Sequence, residues 1–133
     1  MYILKFMERT GRIIIGNWKM YKASQEAATY IAALYPLVEK VDVHVYLAVP
    51  YTSIASAALE AKPTNIVVGA QNMHEASSGA FTGEIAALML KEAGAAFVLL
   101  GHSERRLFFG EDDERIVVED EAAPKKDLPT IIF

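Results

Sequence analysis

The sequence contains no cysteine, which excludes disulfide bonds and thiolate metal sites and is typical of a reducing compartment. No apolar run reaches the roughly 18 residues that a membrane-spanning helix requires, so we expect no membrane insertion. Basic residues are not in excess: 13 Lys and Arg face 17 Asp and Glu, for a net charge of −4. This balance argues against nucleic acid or anionic lipid as a general partner. We therefore expect a cytoplasmic protein.

What the sequence does contain is enough apolar material for one folded domain. Hydrophobic residues make up 53% of its 133 residues, and we expect a single domain over residues 1–133. Met1–Phe6 is expected to be an extension, with Met7 as an alternative start. Five short β-branched or apolar runs predict strands at 12–17, 43–49, 65–70, 96–101 and 129–133.

The segments between these runs have helical patterns, which predicts an α/β fold with parallel strands and intervening helices. Helices are expected at 24–39, 52–60 and 83–93, the first with Ser24 as its N-cap and the third with Ile85, Leu88 and Met89 facing inward. Residues 71–82 are expected to form a long polar loop. Residues 110–128 hold a run of acidic side chains, and we expect a poorly formed or short helix with a solvated face.

Two motifs follow predicted strands and contain residues suited to catalysis. Gly16-Asn17-Trp18-Lys19-Met20 ends the first strand, and Gly101-His102-Ser103-Glu104-Arg105-Arg106 ends the fourth. Because barrel enzymes have their catalytic groups at the carboxyl ends of parallel strands, Lys19 and His102 are candidate catalytic residues. Trp18 and Met20 are expected to be packing residues. No histidines or carboxylates have metal-ligand spacing, so no metal site is expected.

A third block, Gly69-Ala70-Gln71-Asn72 followed by Gly79-Ala80-Phe81-Thr82-Gly83-Glu84, completes a recognisable set. Over about residues 12–111 the three blocks, in this order, resemble the N-terminal half of triosephosphate isomerase. The resemblance implies a partial (half) TIM barrel of four to five parallel strands with intervening helices. It also implies interconversion of dihydroxyacetone phosphate and glyceraldehyde 3-phosphate, a step of glycolysis and gluconeogenesis, with no cofactor and no metal.

The same resemblance assigns roles to four residues. Lys19 would attract the phosphate and offset charge on the substrate oxygen, and Asn17 would bind substrate and orient the lysine. His102 would be a neutral electrophile, and Glu104 would pair with Lys19 and support proton transfer. The carboxylate that abstracts the carbon-bound proton, the lid loop and the phosphate loops belong to the family's C-terminal half. We therefore expect the 133 residues alone to be inactive or nearly so.

The block around Phe81, Thr82 and Glu84 implies an interface, because in the family this loop enters a pocket of a second subunit. A sheet of four or five strands cannot close, and its apolar residues are expected to need a cover. The residues expected to need it are Ile13, Ile15, Val45, Leu47, Val67, Val98 and Leu100. These points predict a homo-oligomer, a dimer or higher.

Two alternatives to an inactive fragment stay open. The chain could be half of a split isomerase that another chain completes. It could instead be a non-catalytic oligomeric module, structural or binding a triose phosphate or a phosphate-like anion through Lys19 and the helix start at Ser103.

Overall fold

The computed structural model describes residues 12–133, so the predicted extension Met1–Phe6 lies outside the described residues. Strands and helices alternate along the described chain, as the sequence predicts. The strands are β1 (Arg12–Asn17), β2 (Val43–Val49), β3 (Ile66–Ala70), β4 (Val98–Leu100) and β5 (Thr130–Ile132). The α-helices are α1 (Ser24–Val38), α2 (Ile54–Ala61), α3 (Ala87–Glu92), α4 (Ser103–Phe109) and α5 (Asp113–Ala122). Two 3₁₀ turns, Tyr51–Ser53 and Pro124–Lys126, precede α2 and β5.

All strand pairs are parallel, and the strands lie in sequence order within one five-stranded sheet. In the sheet register, Ile15 is the partner of Tyr46, and Tyr46 is the partner of Val67. Parallel partners share a face, so this row of side chains points away from the helices. The arrangement is the predicted half-barrel, with β1 and β5 as its outer strands.

The larger core lies between the sheet and the helices. Its members include buried aliphatic side chains of the strands and small residues of the helices, such as Ala27 and Ala57. Four of the residues expected to need an outside cover lie here: Val45, Leu47, Val98 and Leu100. That expectation was wrong for them because the helices of the same chain already cover this face.

A smaller cluster fills the concave face. Tyr46, Ala48, Phe97 and Leu99 are buried there, with the Phe97 and Tyr46 rings edge to face at 5.6 Å. Phe97 packs against Gly69, where an added Cβ would overlap the ring. Ile13 and Ile15 of β1 remain about 39% exposed, so the uncovered apolar surface concentrates at the edge of the sheet.

Several predictions about the helices were wrong. Helix α1 has Ala23 as its N-cap, whose N–H donates to Glu26, while Ser24 Oγ donates to the Thr52 carbonyl. Helix α3 begins four residues later than predicted because Ala86 is extended and bridges to His74.

The inward residues of α3 are Ala87 and Leu90, whereas Leu88 and Met89 are about half exposed. Residues 110–128 contain a regular ten-residue helix, α5, capped by Asp112 and anchored by buried Ile116 and Glu119. Within residues 12–133, no helix has the length and apolar character needed to cross a membrane.

Candidate functional site

A cleft of about 220 Å³ opens at the carboxyl ends of the strands. The segments after β1, β2, β3 and β4 line it, because the carboxyl ends of parallel strands lie on one side of the sheet. Four of the predicted site residues, Asn17, Lys19, His102 and Glu104, lie together in this lining.

Lys19 has a left-handed backbone conformation, with φ of +53°. This conformation is unfavourable for a residue with a Cβ, so neighbours must hold it. The Asn17 side chain accepts the Lys19 N–H at 2.9 Å, and the Gln71 amide donates to the Lys19 carbonyl at 2.8 Å and to the Ala48 carbonyl at 3.0 Å. Asn17 and Gln71 therefore fix the turn that aims the lysine into the cleft.

The Lys19 ammonium pairs with Glu104 across the cleft, with Nζ 2.6 Å from Oε1. Both side chains are nearly half exposed. The hydrogen bond from Lys19 lowers the pKa of the Glu104 carboxyl below its usual value. Glu104 is therefore a carboxylate at neutral pH and a weak base, because its charged form is the stabilised one.

His102 is the N-cap residue of α4. Its Nδ1 accepts the Glu104 N–H at 3.2 Å, which requires a lone pair on Nδ1. The proton of the neutral ring then lies on Nε2, the nitrogen that is free to donate. The Glu104 N–H of α4 therefore favours the His102 tautomer whose Nε2 has the proton, so that the neutral ring can act as a hydrogen-bond donor.

Two arginines fasten α4 to the chain around it. Arg105 Nε donates to the buried carboxylate of Glu111, and Arg106 Nε donates to the Gly101 carbonyl at 3.0 Å. Gly110 ends the helix with φ of +69°, a conformation that favours glycine. These contacts hold His102 and Glu104 in place from behind.

The wall of the cleft contains polar groups that the sequence patterns did not single out. The Tyr51 hydroxyl and the Asn72 Oδ1 are both buried in this wall, and the Asn72 side chain interacts with Tyr51. Burial raises the pKa of Tyr51, so its hydroxyl keeps its proton. Only the position of Tyr51 directly after β2 and Pro50 could have indicated that it lies in the cleft.

Large apolar side chains lie at the rim of the cleft. Met20 is 93% exposed, so its predicted packing role was wrong, whereas Trp18 is buried in the core as predicted. Phe109 also lines the cleft and is 65% exposed.

The predicted interface residues lie away from this cleft in the same chain. Phe81 is half exposed and its ring lies 4.3 Å from that of His74, while Thr82 and Glu84 are exposed. In the described part of the chain, no group of three or more His, Asp or Glu side chains is arranged to hold a metal ion.

Comparison with known proteins agrees with this fold and cleft. The family model of triosephosphate isomerase matches residues 12–132. The triosephosphate isomerase of Protochlamydia amoebophila is 56% identical over 101 residues, which cover 76% of this chain and 38% of the relative. The triosephosphate isomerase of Caldanaerobacter subterraneus subsp. tengcongensis is 43% identical over 120 residues, which cover 90% of this chain and 48% of the relative.

A solved structure shows the same likeness in three dimensions. The crystal structure of triosephosphate isomerase from Bartonella henselae superposes with a TM-score of 0.86 at 34% identity, covering 92% of this chain and 51% of that one. The chain thus spans about half the length of the relatives it matches, or less.

Parallel strands, helices outside them and a cleft at the carboxyl ends define a protein of the TIM-barrel class, present here as a half-barrel. Within that class, the chain belongs to the triosephosphate isomerase family and corresponds to its N-terminal part.

Proposed function

We propose that residues 12–133 form the electrostatic half of a triosephosphate isomerase active site. The reaction is the interconversion of dihydroxyacetone phosphate and glyceraldehyde 3-phosphate. The observation that supports this most is that Lys19 meets His102 and Glu104, which are distant from it in the chain, at one cleft.

The chemistry follows from where charge develops. When a base removes the proton from the carbon next to the carbonyl, the electron pair moves onto the carbonyl oxygen and an enediolate forms. The Lys19 ammonium and the Nε2–H of neutral His102 would stabilise that oxygen, and Asn17 would hold the lysine in its strained turn. The proton then returns to the neighbouring carbon, and the hydroxyl proton of the first carbon moves to the former carbonyl oxygen, which gives the aldehyde.

The cleft does not provide that base within the described residues. Glu104 is the one carboxylate among its lining residues, and its ion pair with Lys19 lowers its pKa. Such a group is poorly matched to abstraction of a carbon-bound proton, since efficient bases have a pKa near the operating pH. We therefore propose that the 133 residues alone turn over little or no substrate.

A second copy of the chain is the proposed partner. The exposed apolar side chains of Met20 and Phe109 at the cleft rim suit an inserted protein loop. The loop with Phe81, Thr82 and Glu84 is exposed and available to enter the cleft of another copy. The proposed assembly is a homo-oligomer in which each chain completes the cleft of another.

Restoring the missing half tests the function directly. The chain would be joined to the C-terminal part of the Protochlamydia amoebophila relative, beyond the matched region, and assayed for isomerisation of dihydroxyacetone phosphate. We expect activity in this fusion and losses of at least about 100-fold for Lys19→Met and His102→Gln. Lys62→Met, which changes an exposed lysine after α2, is the matched control and should keep the activity.

A folded but inactive fusion, or an active fusion that tolerates Lys19→Met, would contradict the proposal. Mixing the chain with that C-terminal part as a separate polypeptide distinguishes the split-enzyme alternative. Activity on mixing supports an isomerase assembled from two chains. Activity in the fusion alone shows that the two halves must belong to one polypeptide.

A further inference from the structure

Three glutamates with no role in the proposed reaction meet beneath α4. We name Glu75, Glu111 and Glu119 the acid cluster. The Glu111 and Glu119 side chains have no exposed surface, and that of Glu75 is one-third exposed. They come from three segments: the loop after β3, the turn after α4, and α5. Buried carboxylates need compensation, so the charges around them decide their state.

Two arginines face the acid cluster. Arg105 of α4 donates to Glu111, and Arg115 Nε donates to Glu119 Oε1 at 3.0 Å. Arg115 Nη2 also lies 3.9 Å from Glu75 Oε2. Three carboxylates against two guanidinium groups leave one negative charge in excess if all three are ionised.

The other polar neighbours do not supply a positive charge that would balance this excess. Tyr51, which faces both Arg105 and Glu119, keeps its proton and is neutral. His74 Nδ1 lies 3.5 Å from Glu75 Oε2 but accepts the Ala76 N–H, so this nitrogen has no proton to give.

The acid cluster also has incomplete hydrogen bonding. The Oε2 atom of each of the three glutamates is buried and has no hydrogen-bond partner among the described residues. All three atoms are acceptors, so they cannot satisfy one another while every carboxyl group is ionised. A single proton on one of them creates a donor and removes the excess charge at once.

We propose that Glu119 holds a proton near neutral pH, facing the carboxylates of Glu75 and Glu111, and that this proton positions α4 by setting the Arg105–Glu111 contact. Arg105 of α4 pairs with Glu111 of the acid cluster, and Arg115 pairs with Glu119. The first turn of α4 contains Glu104, and its N-cap residue is His102. Loss of the proton adds a buried negative charge that competes for Arg105. Glu111 and Glu119 are thus positioning residues for the cleft.

The electrostatic environment supports Glu119 as the main holder of the proton. Burial raises the pKa of Glu119 to about 7, with Glu111 and Glu75 raising it further and Arg115 opposing the change. The same carboxylates raise the pKa of Arg115, which stays charged.

Heteronuclear NMR of the whole 133-residue chain tests the proposal without substrate, so its outcome is independent of the isomerase proposal. The signals are the Glu119 side-chain carboxyl carbon, the Arg105 Nε–H and the backbone amide of Leu107 on α4. In the unmodified chain we expect all three to move with a common midpoint near pH 7. The variant Glu119→Gln, which mimics the protonated group, should abolish the movement of Arg105 and Leu107.

The matched control is Glu114→Gln, an exposed position on the same helix, which should leave the common midpoint in place. A Glu119 midpoint in the ordinary acidic range would overturn the proposal, and this result needs no variant. An Arg105 signal that does not change with pH in the unmodified chain would also overturn the proposal. The same holds for an Arg105 signal that keeps its midpoint in Glu119→Gln.

Discussion

The Nζ atom of Lys19 lies 2.6 Å from Oε1 of Glu104, although 85 residues separate the two in the chain. The pair joins the turn after β1 to the first turn of α4, across the whole width of the sheet between them. It places a cation in the cleft that His102 also lines and at the same time keeps Glu104 ionised. One contact thus sets the charge of the cleft.

Replacing Lys19 should return the pKa of Glu104 to its ordinary range. The hydrogen bond from Lys19 is the largest cause of the lowered value, and the His102 contribution is small beside it. We expect Lys19→Met to raise the Glu104 midpoint in a carbon-detected NMR titration, and Lys62→Met to leave it unchanged. An unmoved midpoint in Lys19→Met would show that the ion pair does not form in solution.

The same substitution should change stability very little. A lowered carboxyl pKa stabilises the fold above the unfolded value, and this contribution is lost as the pH falls through the folded value. Because both partners are exposed, solvent screens the pair strongly. Urea unfolding at neutral pH should therefore give similar free energies for Lys19→Met and the unmodified chain.

Gly69→Ala should destabilise the concave cluster. A Cβ at this position would overlap the Phe97 ring, which is fully buried and has no free space to move into. Overpacking of this kind costs about 1–3 kcal/mol, which urea unfolding can measure.

The double variant Gly69→Ala with Phe97→Leu separates overlap from any backbone effect. A smaller side chain removes the overlap, so the two changes should be less harmful together than the sum of the single effects. Strictly additive losses would place the cause of the Gly69→Ala effect elsewhere.

Stability should depend on pH through Glu119. Its raised pKa means that the folded chain binds more protons than the unfolded chain between about pH 4.5 and 7, so stability falls as the pH rises through this window. Glu119→Gln cannot lose that proton and should become more stable relative to the unmodified chain from pH 5 to 8, by on the order of 2 kcal/mol. Urea unfolding at several pH values measures the difference, and a gap that does not change with pH would contradict it.

Self-association should depend on the cleft rim. Light scattering should give at least twice the 14.6 kDa of one chain. Met20→Ser with Phe109→Ser should lower that mass, because both side chains are largely exposed and apolar.

Leu59→Ser is the matched control for this experiment, since Leu59 is 74% exposed on α2, outside the cleft lining. It should leave the mass unchanged. A single-chain mass for the unmodified protein would remove the proposed partner.

Much of the sheet could be predicted because buried parallel strands leave continuous apolar runs. The predicted limits of β1 and β2 agree with the structure, and β3 begins one residue later than predicted. Strand β5 is one residue shorter at each end, and β4 is two residues shorter at its start and one at its end. The start of α3 was wrong because Ile85 and Ala86 have helix-compatible side chains, and the bridge from Ala86 to His74 is a tertiary effect.

The same limit applies to charged residues. The acidic run of α5 has the composition of a solvated face, yet Glu119 is buried because Arg115 on the same helix pairs with it. No sequence pattern distinguishes the one buried acidic residue from its exposed acidic neighbours.

For the cleft, the sequence motifs gave the identities of the residues but not their geometry. Lys19, His102 and Glu104 were named from their blocks, and the fold brings them together. The left-handed turn at Lys19 and its support by Gln71 could not be predicted, since a lysine gives no signal for φ of +53°.

Deuterium incorporation into dihydroxyacetone phosphate in D₂O tests the central claim most directly, because it reports abstraction of the carbon-bound proton. The account predicts that residues 1–133 alone exchange no faster than Lys19→Met, whereas the fusion with the C-terminal part of the Protochlamydia amoebophila relative exchanges rapidly. Fast exchange by the 133 residues alone, lost in Lys19→Met, would contradict it.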